Sequence, residues 1–143
     1  MARSKTLSFA LTLKLNTSAS DCRILNGRFF DGFLMYNRLA KHARKCFSGM
    51  RQDKRYRSLM EEYHACKGDT PEAKKERARI GMLLSDLRAE YGLSEYQFHA
   101  WISVQQHRYK NSIDSLTAQK TATSVWQAVE AVLFRKGKTI HFK

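Results

Sequence analysis

Hydrophobic and polar residues alternate strictly near the start of the chain. Leucine or phenylalanine occupies every second position from Leu7 to Leu15, and Ser, Ala, Thr and Lys occupy the positions between them. A period of two over nine residues predicts a half-buried β-strand. The last residues of the chain alternate again, with Ile140 and Phe142 on one side, which predicts a second strand.

Between the two predicted strands the apolar spacing changes to three and four residues, which is typical of one face of an α-helix. Turn-forming and capping residues at positions 16–21 precede this stripe, and Gly49 is expected to end the helix. A second helix is expected from Gln52 to Ala65. The stripe itself comprises Leu25, Phe29, Phe33, Tyr36, Ala40, Ala43 and Phe47.

Boundary signals predict three more helices in the second half of the chain. Pro71 suits the first position of a helix that runs to Tyr91, and Gly92 suits the left-handed residue that follows a helix end. Gln97 lies three residues after a serine and would complete a capping box. The expected N-caps of the third, fourth and last helices are Thr70, Ser94, and either Ser112 or Ser115.

The predicted fold class is therefore mainly α with a minor β part (α+β). It has an N-terminal strand in residues 1–16, about five helices in residues 17–137, and a C-terminal strand in residues 138–143. A lone pair of strands is marginally stable in water, so we expect other strands to complete the sheet. They would come from the rest of a longer protein or from a second copy of this chain.

The positive charge of the chain indicates the kind of ligand that it binds. The 143 residues include 26 Lys or Arg and 13 Asp or Glu, a net charge of +13, and 43% of the residues are hydrophobic, which is too many for a disordered chain. Ten bases and two acids lie between Arg23 and Arg57, and seven bases and two acids lie between Arg108 and Lys143. Two concentrated basic stretches favour a basic face that binds a polyanion over a uniformly charged surface.

Long cationic side chains on one helix face are suited to phosphate contacts, although surface Lys and Arg are more often simply solvated. Tyr109, which lies between two bases, is the best candidate for stacking on a nucleic-acid base, whereas Trp101 and Trp126 are assigned to the core. The candidate nucleic-acid-binding residues are Arg38, Lys41, Arg44, Lys45, Arg51, Lys54, Arg55, Arg57, Arg108, Tyr109 and Lys110.

Metal binding, catalysis and membrane insertion receive little support from the sequence. The three cysteines contain no CxxC pair and are expected to be free thiols in a reducing cytoplasm. His42 and Cys46 lie one helical turn apart, but no second pair completes a metal site, so no metal or cofactor is predicted. No nucleophile-elbow, phosphate-loop or zinc-protease motif is present, and no apolar run approaches the ~18 residues of a membrane span.

Several short segments, taken in order, resemble the N-terminal portion of TnpB-type (OrfB) transposases, which are RNA-guided nucleases related to type V CRISPR effectors. The resemblance extends from Thr6 to Lys143. The segments that carry it are Leu11-Thr12-Leu13-Lys14-Leu15, Tyr36-Asn37 with Leu39, Tyr96-Gln97-Phe98-His99, the run from Val104 to Tyr109, Ala118-Gln119-Lys120, Val125-Trp126, Val129, Val132-Leu133-Phe134, Lys138 and Phe142-Lys143.

The resemblance implies that the two strands belong to a wedge-like β-barrel and that the helices form a recognition lobe. It also implies that the RuvC-like carboxylates and the zinc ribbon of the family lie C-terminal to the matched region. The chain would then be no enzyme by itself. It would bind guide-type RNA and DNA in a prokaryotic or phage-infected cell and act with the missing nuclease part.

Two other functions remain open at this point. The chain would fit a stand-alone basic regulator that binds DNA or RNA and dimerises through its sheet. It would also fit an interaction module whose positive charge meets an acidic protein partner.

Overall fold

The computed structural model describes residues 10–134 and 139–143, and within these residues the fold is entirely helical. The first helix is the longest, with 34 residues, and the next two are joined by a short loop around Gly68. The elements are α1 (Ala19–Gln52), α2 (Lys54–Ala65), α3 (Pro71–Glu90), α4 (Glu95–Gln106), a 3₁₀ helix (His107–Tyr109) and α5 (Ser115–Phe134).

The predicted α+β fold class is therefore wrong for the residues that the structure describes. Residues 10–15 form no strand, and Leu11, Leu13 and Leu15 are 73–80% exposed. The beginning of the predicted strand, residues 7–9, lies outside the described residues. An alternating segment needs a hydrogen-bonded neighbour and a covering layer before it forms a sheet, and residues 10–15 have neither in the described part.

Residues 139–143 also form no strand, because they pack against helix α1 instead, and residue 138 of the predicted strand lies outside the described residues. Ile140 is 2% exposed and belongs to the core. The backbone of Lys143 makes two hydrogen bonds with the Asn37 side chain: its amide donates to Oδ1 at 2.9 Å and its carbonyl accepts from Nδ2 at 3.0 Å. Ile140 and Phe142 therefore both contact a helix, and Ile140 is buried whereas Phe142 is half-exposed.

Several helix boundaries agree with the sequence signals. Thr70 caps α3 by accepting a hydrogen bond from the Ala73 amide at 3.2 Å, and Pro71 occupies the first helical position. Gly92 follows α3 with φ +75°, a conformation that favours glycine. Ser94 caps α4 through the Gln97 amide, as predicted, but the capping box is not completed, because the Gln97 side chain accepts from the Ser94 hydroxyl and donates to the Ala89 carbonyl instead.

Other boundaries differ from the predictions. Gly49 does not end α1, because one glycine costs a helix only about 1 kcal/mol and this one lies against the Tyr91 ring, 3.4 Å from where a Cβ would be. Asp53 ends α1 and caps α2. The cap of α5 is Asp114, whose carboxylate accepts from the Thr117 amide at 2.9 Å, and neither of the predicted serines takes that role.

The core forms where α1, α4 and α5 meet. Leu39, Ala43, Phe98, Ile102 and Val125 are buried there, and each lies on the apolar face of its helix. Helices α2 and α3 form a hairpin that contacts α1 at one side. Its buried side chains come mainly from α3, since α2 has none that is fully buried.

The first half of α1 extends beyond this core. The predicted apolar stripe is buried from Tyr36 onward, but Phe29 and Phe33 are 71% and 44% exposed. Full burial begins at Met35, and at Gly32, about one turn earlier, an added Cβ would lie 3.9 Å from the Ile113 side chain in the loop before α5. The helical period was predicted correctly, whereas the length of helix that the core covers was not.

Candidate nucleic-acid interface

The basic residues of α1 lie on the side of the helix that faces away from the core. Leu39 and Ala43 are fully buried, whereas Arg38, Lys41 and Lys45 are exposed. The three cations follow the spacing i, i+3, i+7, which places them along one edge of a helix with 3.6 residues per turn. The helical period that places the apolar residues against the core therefore also places these basic side chains on the opposite, exposed side of α1.

Helix α4 and the 3₁₀ helix complete a groove beside this edge, with a volume of about 480 Å³. We call it the α1–α4 groove. It brings together two parts of the chain that are about 60 residues apart, and no carboxylate lines it. The lining residues are Arg38, Lys41, His42 and Lys45 from α1, with Trp101, Gln105 and Arg108 from the opposite side.

Two aromatic rings lie together in this groove. The His42 and Trp101 rings are stacked, with centroids 5.1 Å apart and planes inclined by 18°. Both side chains are half-buried, and Trp101 also packs against the core. The groove therefore contains a stacked aromatic pair beside four cationic side chains.

The His42 imidazole is held in its neutral form. Partial burial, and secondly the charge of Lys45, lower the pKa of His42 below its usual 6.5. Burial also raises the pKa of the Cys46 thiol, whose sulfur lies 3.6 Å from His42 Nε2. Both shifts favour the uncharged forms of the two groups, which is the opposite of the ion pair that activates a cysteine nucleophile.

The guanidinium group of Arg38 contacts the aromatic ring of Tyr109. Its guanidinium carbon lies 5.5 Å from the centroid of the Tyr109 ring, a cation–π contact between α1 and the 3₁₀ helix. Tyr109 is half-buried, so the predicted stacking residue supports Arg38 on one face. Lys110, the next residue, is exposed.

Two more predicted cations lie on the neighbouring face of α1. The Arg44 guanidinium lies 4.8 Å from the Phe142 ring centroid, and Arg51 lies 4.6 Å from the Phe47 ring centroid. Neither guanidinium makes an ion pair with a carboxylate in the described part of the chain. Both retain hydrogen-bond donors for an outside anion, since contact with a ring face uses none of them.

The predicted cations of α2 are arranged differently. Arg55 forms ion pairs at 2.8 Å with both Asp53 and Glu90, so it joins α2 to α3. Arg57 donates to the Gln52 carbonyl at 3.3 Å, and Lys54 is exposed. Arg55 is accordingly a structural residue, and α2 adds fewer available charges than its sequence indicates.

The predicted binding residues do not include three residues that line the groove, which are His42, Trp101 and Gln105. A usable signal was present, because Trp101, Gln105 and Arg108 follow the spacing i, i+4, i+7, which predicts one helix face, although Arg108 lies in the 3₁₀ helix that follows α4. The assignment of Trp101 to the core is confirmed, because its side chain packs against the core while it also lines the groove. Trp126 does pack against the core, edge-on to Phe98 at 5.8 Å.

A hydroxyl–histidine–carboxylate cluster joins α4 to α5. Thr123 Oγ1 lies 3.1 Å from His99 Nε2 and donates to Glu95 at 3.0 Å, while Glu95 also lies 3.6 Å from the same His99 nitrogen. A catalytic relay would use the two ring nitrogens separately, one toward the hydroxyl and one toward the acid. This cluster therefore serves as a polar contact between helices.

Within residues 10–134 and 139–143, no group of three or more His, Cys, Asp or Glu side chains is arranged to hold a metal ion. In the same residues, no helix combines the length and apolar character needed to cross a membrane. Comparison with family models, curated proteins and solved structures finds no significant match to this chain.

Proposed function

We propose that the chain binds nucleic acid through the basic face formed by α1 and the end of α4. The observation that carries this proposal is the α1–α4 groove, where four cations meet without a carboxylate. Their charges repel one another, and a polyanion removes that repulsion while it releases its own counterions. Arg44 and Arg51 extend the same positive surface along α1.

The ligand that we propose follows the resemblance to TnpB-type transposases. It is a guide-type RNA or an RNA–DNA duplex, contacted through its backbone, in the cytoplasm of a prokaryotic cell or of a phage-infected one. Sequence choice is then left to base pairing, because phosphate contacts position a duplex without reading it. Cutting belongs to a separate nuclease part, since two-metal hydrolysis needs convergent carboxylates.

An acidic protein is the competing ligand. Its carboxylates are spaced irregularly and are less dense than the phosphates of a duplex, which carry one charge per about 1.7 Å of axis. A groove with four cations on two adjacent helix faces favours the denser and more regular polyanion. The arrangement of Arg38, Lys41 and Lys45 along one helix edge supports the same choice.

The test is binding of a 20-base-pair RNA–DNA duplex at several salt concentrations. If four to six cations each neutralise one phosphate, log K falls against log salt with a slope of about −4 to −5. A polyglutamate peptide of similar total charge serves as the comparison and should bind more weakly at every salt concentration. An affinity for the duplex that does not change with salt, or a preference for polyglutamate, would contradict the proposal.

A further inference from the structure

Helices α2 and α3 and the end of α5 meet around another cavity, which shares no residue with the α1–α4 groove. Tyr56, Met60 and Tyr63 follow the spacing i, i+4, i+7, so one face of α2 forms one of its walls. Leu133 and Phe134 of α5 line another side. The volume of about 310 Å³ lies at the lower end of the range of small-molecule sites, and the lining is mostly apolar and aromatic, as such sites usually are. We call it the α2–α3 cavity.

Arg88 brings a positive charge to this apolar cavity. It is half-buried, and burial lowers the pKa of its guanidinium group. The guanidinium carbon lies 4.7 Å from the centroid of the Phe134 ring, a contact that uses one face of the group and none of its N–H donors. No carboxylate lines the cavity, and Arg88 makes no ion pair within the part of the chain that the structure describes. A half-buried cation in this setting favours a ligand of opposite charge.

Gly81 leaves part of the cavity unfilled. Gly81, Leu84 and Arg88 follow the spacing i, i+3, i+7 and form the wall that α3 contributes. A Cβ added at Gly81 would meet nothing within 4 Å, so an ordinary side chain has room to enter the cavity. Glycine is also among the poorest residues for the interior of a helix. The sequence therefore has its smallest residue at a point where a larger one would fit, would favour the helix and would fill the cavity.

We propose that the α2–α3 cavity binds a small carboxylate with an apolar body, of the kind found in medium-chain fatty acids. The apolar body packs against Tyr56, Leu84 and Leu133, and the carboxylate accepts hydrogen bonds from the N–H groups of Arg88. The planar guanidinium matches the geometry of a carboxylate, and its contact with Phe134 limits the orientations that it adopts. One half-buried cation balances one negative charge, whereas a phosphate monoester brings nearly two.

The test is isothermal titration calorimetry of the wild-type chain at neutral pH with octanoate, octylammonium and acetate. Octylammonium has the same apolar body with the opposite charge. Acetate has the same carboxylate without the body, so it measures the general attraction of anions to a chain of net charge +13. Octanoate should bind at least about 10-fold more tightly than either, because only octanoate combines burial of methylene groups with charge-assisted hydrogen bonds.

Two variants locate the site. Gly81→Leu fills the cavity and should abolish octanoate binding without lowering the thermal midpoint, since leucine favours a helix more than glycine does. Its matched control is Gly27→Leu in the exposed part of α1, where an added Cβ also meets nothing within 4 Å, and this variant should bind octanoate like the wild type. Arg88→Met keeps an apolar contact with Phe134, and it should weaken octanoate binding roughly 10- to 150-fold and remove the preference for octanoate over octylammonium.

No binding of octanoate at millimolar concentration, or equal affinity for octanoate and either comparison compound, would overturn the inference. These results come from the wild-type chain, so they do not depend on the folding of any variant. Octanoate binding that persists in a folded Gly81→Leu, or that is lost equally in Gly27→Leu, would overturn the assignment to this cavity. None of these outcomes bears on nucleic-acid binding, because the cavity and the α1–α4 groove have no residue in common.

Discussion

Replacing Lys41 and Lys45 together by glutamine removes two positive charges from the α1–α4 groove and leaves the stacked rings of His42 and Trp101 in place. Both side chains are exposed and make no ion pair in the described part of the chain. Surface changes of this kind usually alter stability by less than about 0.5 kcal/mol. The thermal midpoint should therefore stay within a few degrees of the wild type.

The effect on binding can be worked out from counterion release. If each lysine neutralises one phosphate, losing both reduces the salt slope by about 1.8. The same loss weakens duplex binding by about 30-fold at 0.15 M salt, or about 2 kcal/mol, and by about 200-fold at 0.05 M salt. The difference between wild type and variant should thus grow as the salt concentration falls.

The assay is fluorescence anisotropy with a labelled RNA–DNA duplex at several salt concentrations. The matched control is Lys74→Gln with Lys75→Gln, which removes the same charge from α3. Lys75 is exposed, and Lys74 makes only a solvent-exposed ion pair of 3.6 Å with Asp69, which contributes little to stability. Equal loss of affinity in both double variants would refute the reasoning, because net charge and not the groove would then determine binding.

Three further predictions concern the fold. Phe98→Ala should destabilise the chain by about 3 to 5 kcal/mol in chemical denaturation, because Phe98 is fully buried at the centre of the core. The Arg55 side chain, with smaller contributions from the Arg55 amide and the Tyr91 hydroxyl, lowers the pKa of Asp53 from 3.8 to about 2. The folded state then binds the Asp53 proton more weakly than the unfolded state does, so the stability that this carboxylate contributes above pH 4 should be lost as the pH falls toward 2. Asp53→Asn should lose less stability over the same pH range, as measured by chemical denaturation. Hydrogen exchange should be faster in residues 19–34 than in residues 35–50, because burial in α1 begins at Met35. Equal protection of the two halves of α1 would mean that something covers its first half.

Local signals in the sequence were sufficient for much of the helical scaffold. The cap at Thr70, the start at Pro71 and the left-handed glycine at position 92 depend only on neighbouring residues, and the structure has all three. The period of the stripe from Tyr36 to Phe47 likewise predicted which face of α1 is buried. That face in turn fixed the direction of the basic residues.

The errors arose where the outcome depends on distant partners. The alternating leucines at positions 11–15 satisfy a strand pattern, but a strand also needs a neighbour that the described residues do not supply. Phe29 and Phe33 continue the stripe beyond the point where α4 and α5 can cover it. Sequence spacing gives the period of a helix face and gives no information on how far its partner extends.

The same limit applied to the site. Arg55 looked like its neighbours in a basic run, and only the fold shows that two carboxylates hold it. The assignment of Trp101 to the core is confirmed, but its place in the lining of the groove was not predicted. Its position opposite His42 depends on how α1 and α4 pack, which sequence spacing within either helix does not determine.

The central claim is that nucleic acid binds the face formed by α1 and the end of α4, and backbone amide shifts in NMR spectra test it most directly. We expect that adding an RNA–DNA duplex to the labelled chain will shift resonances in residues 38–45 and 105–109. Amides of α3 should stay unchanged and serve as an internal control. Shifts confined to α2 and α3, or spread evenly over all helices, would contradict the account.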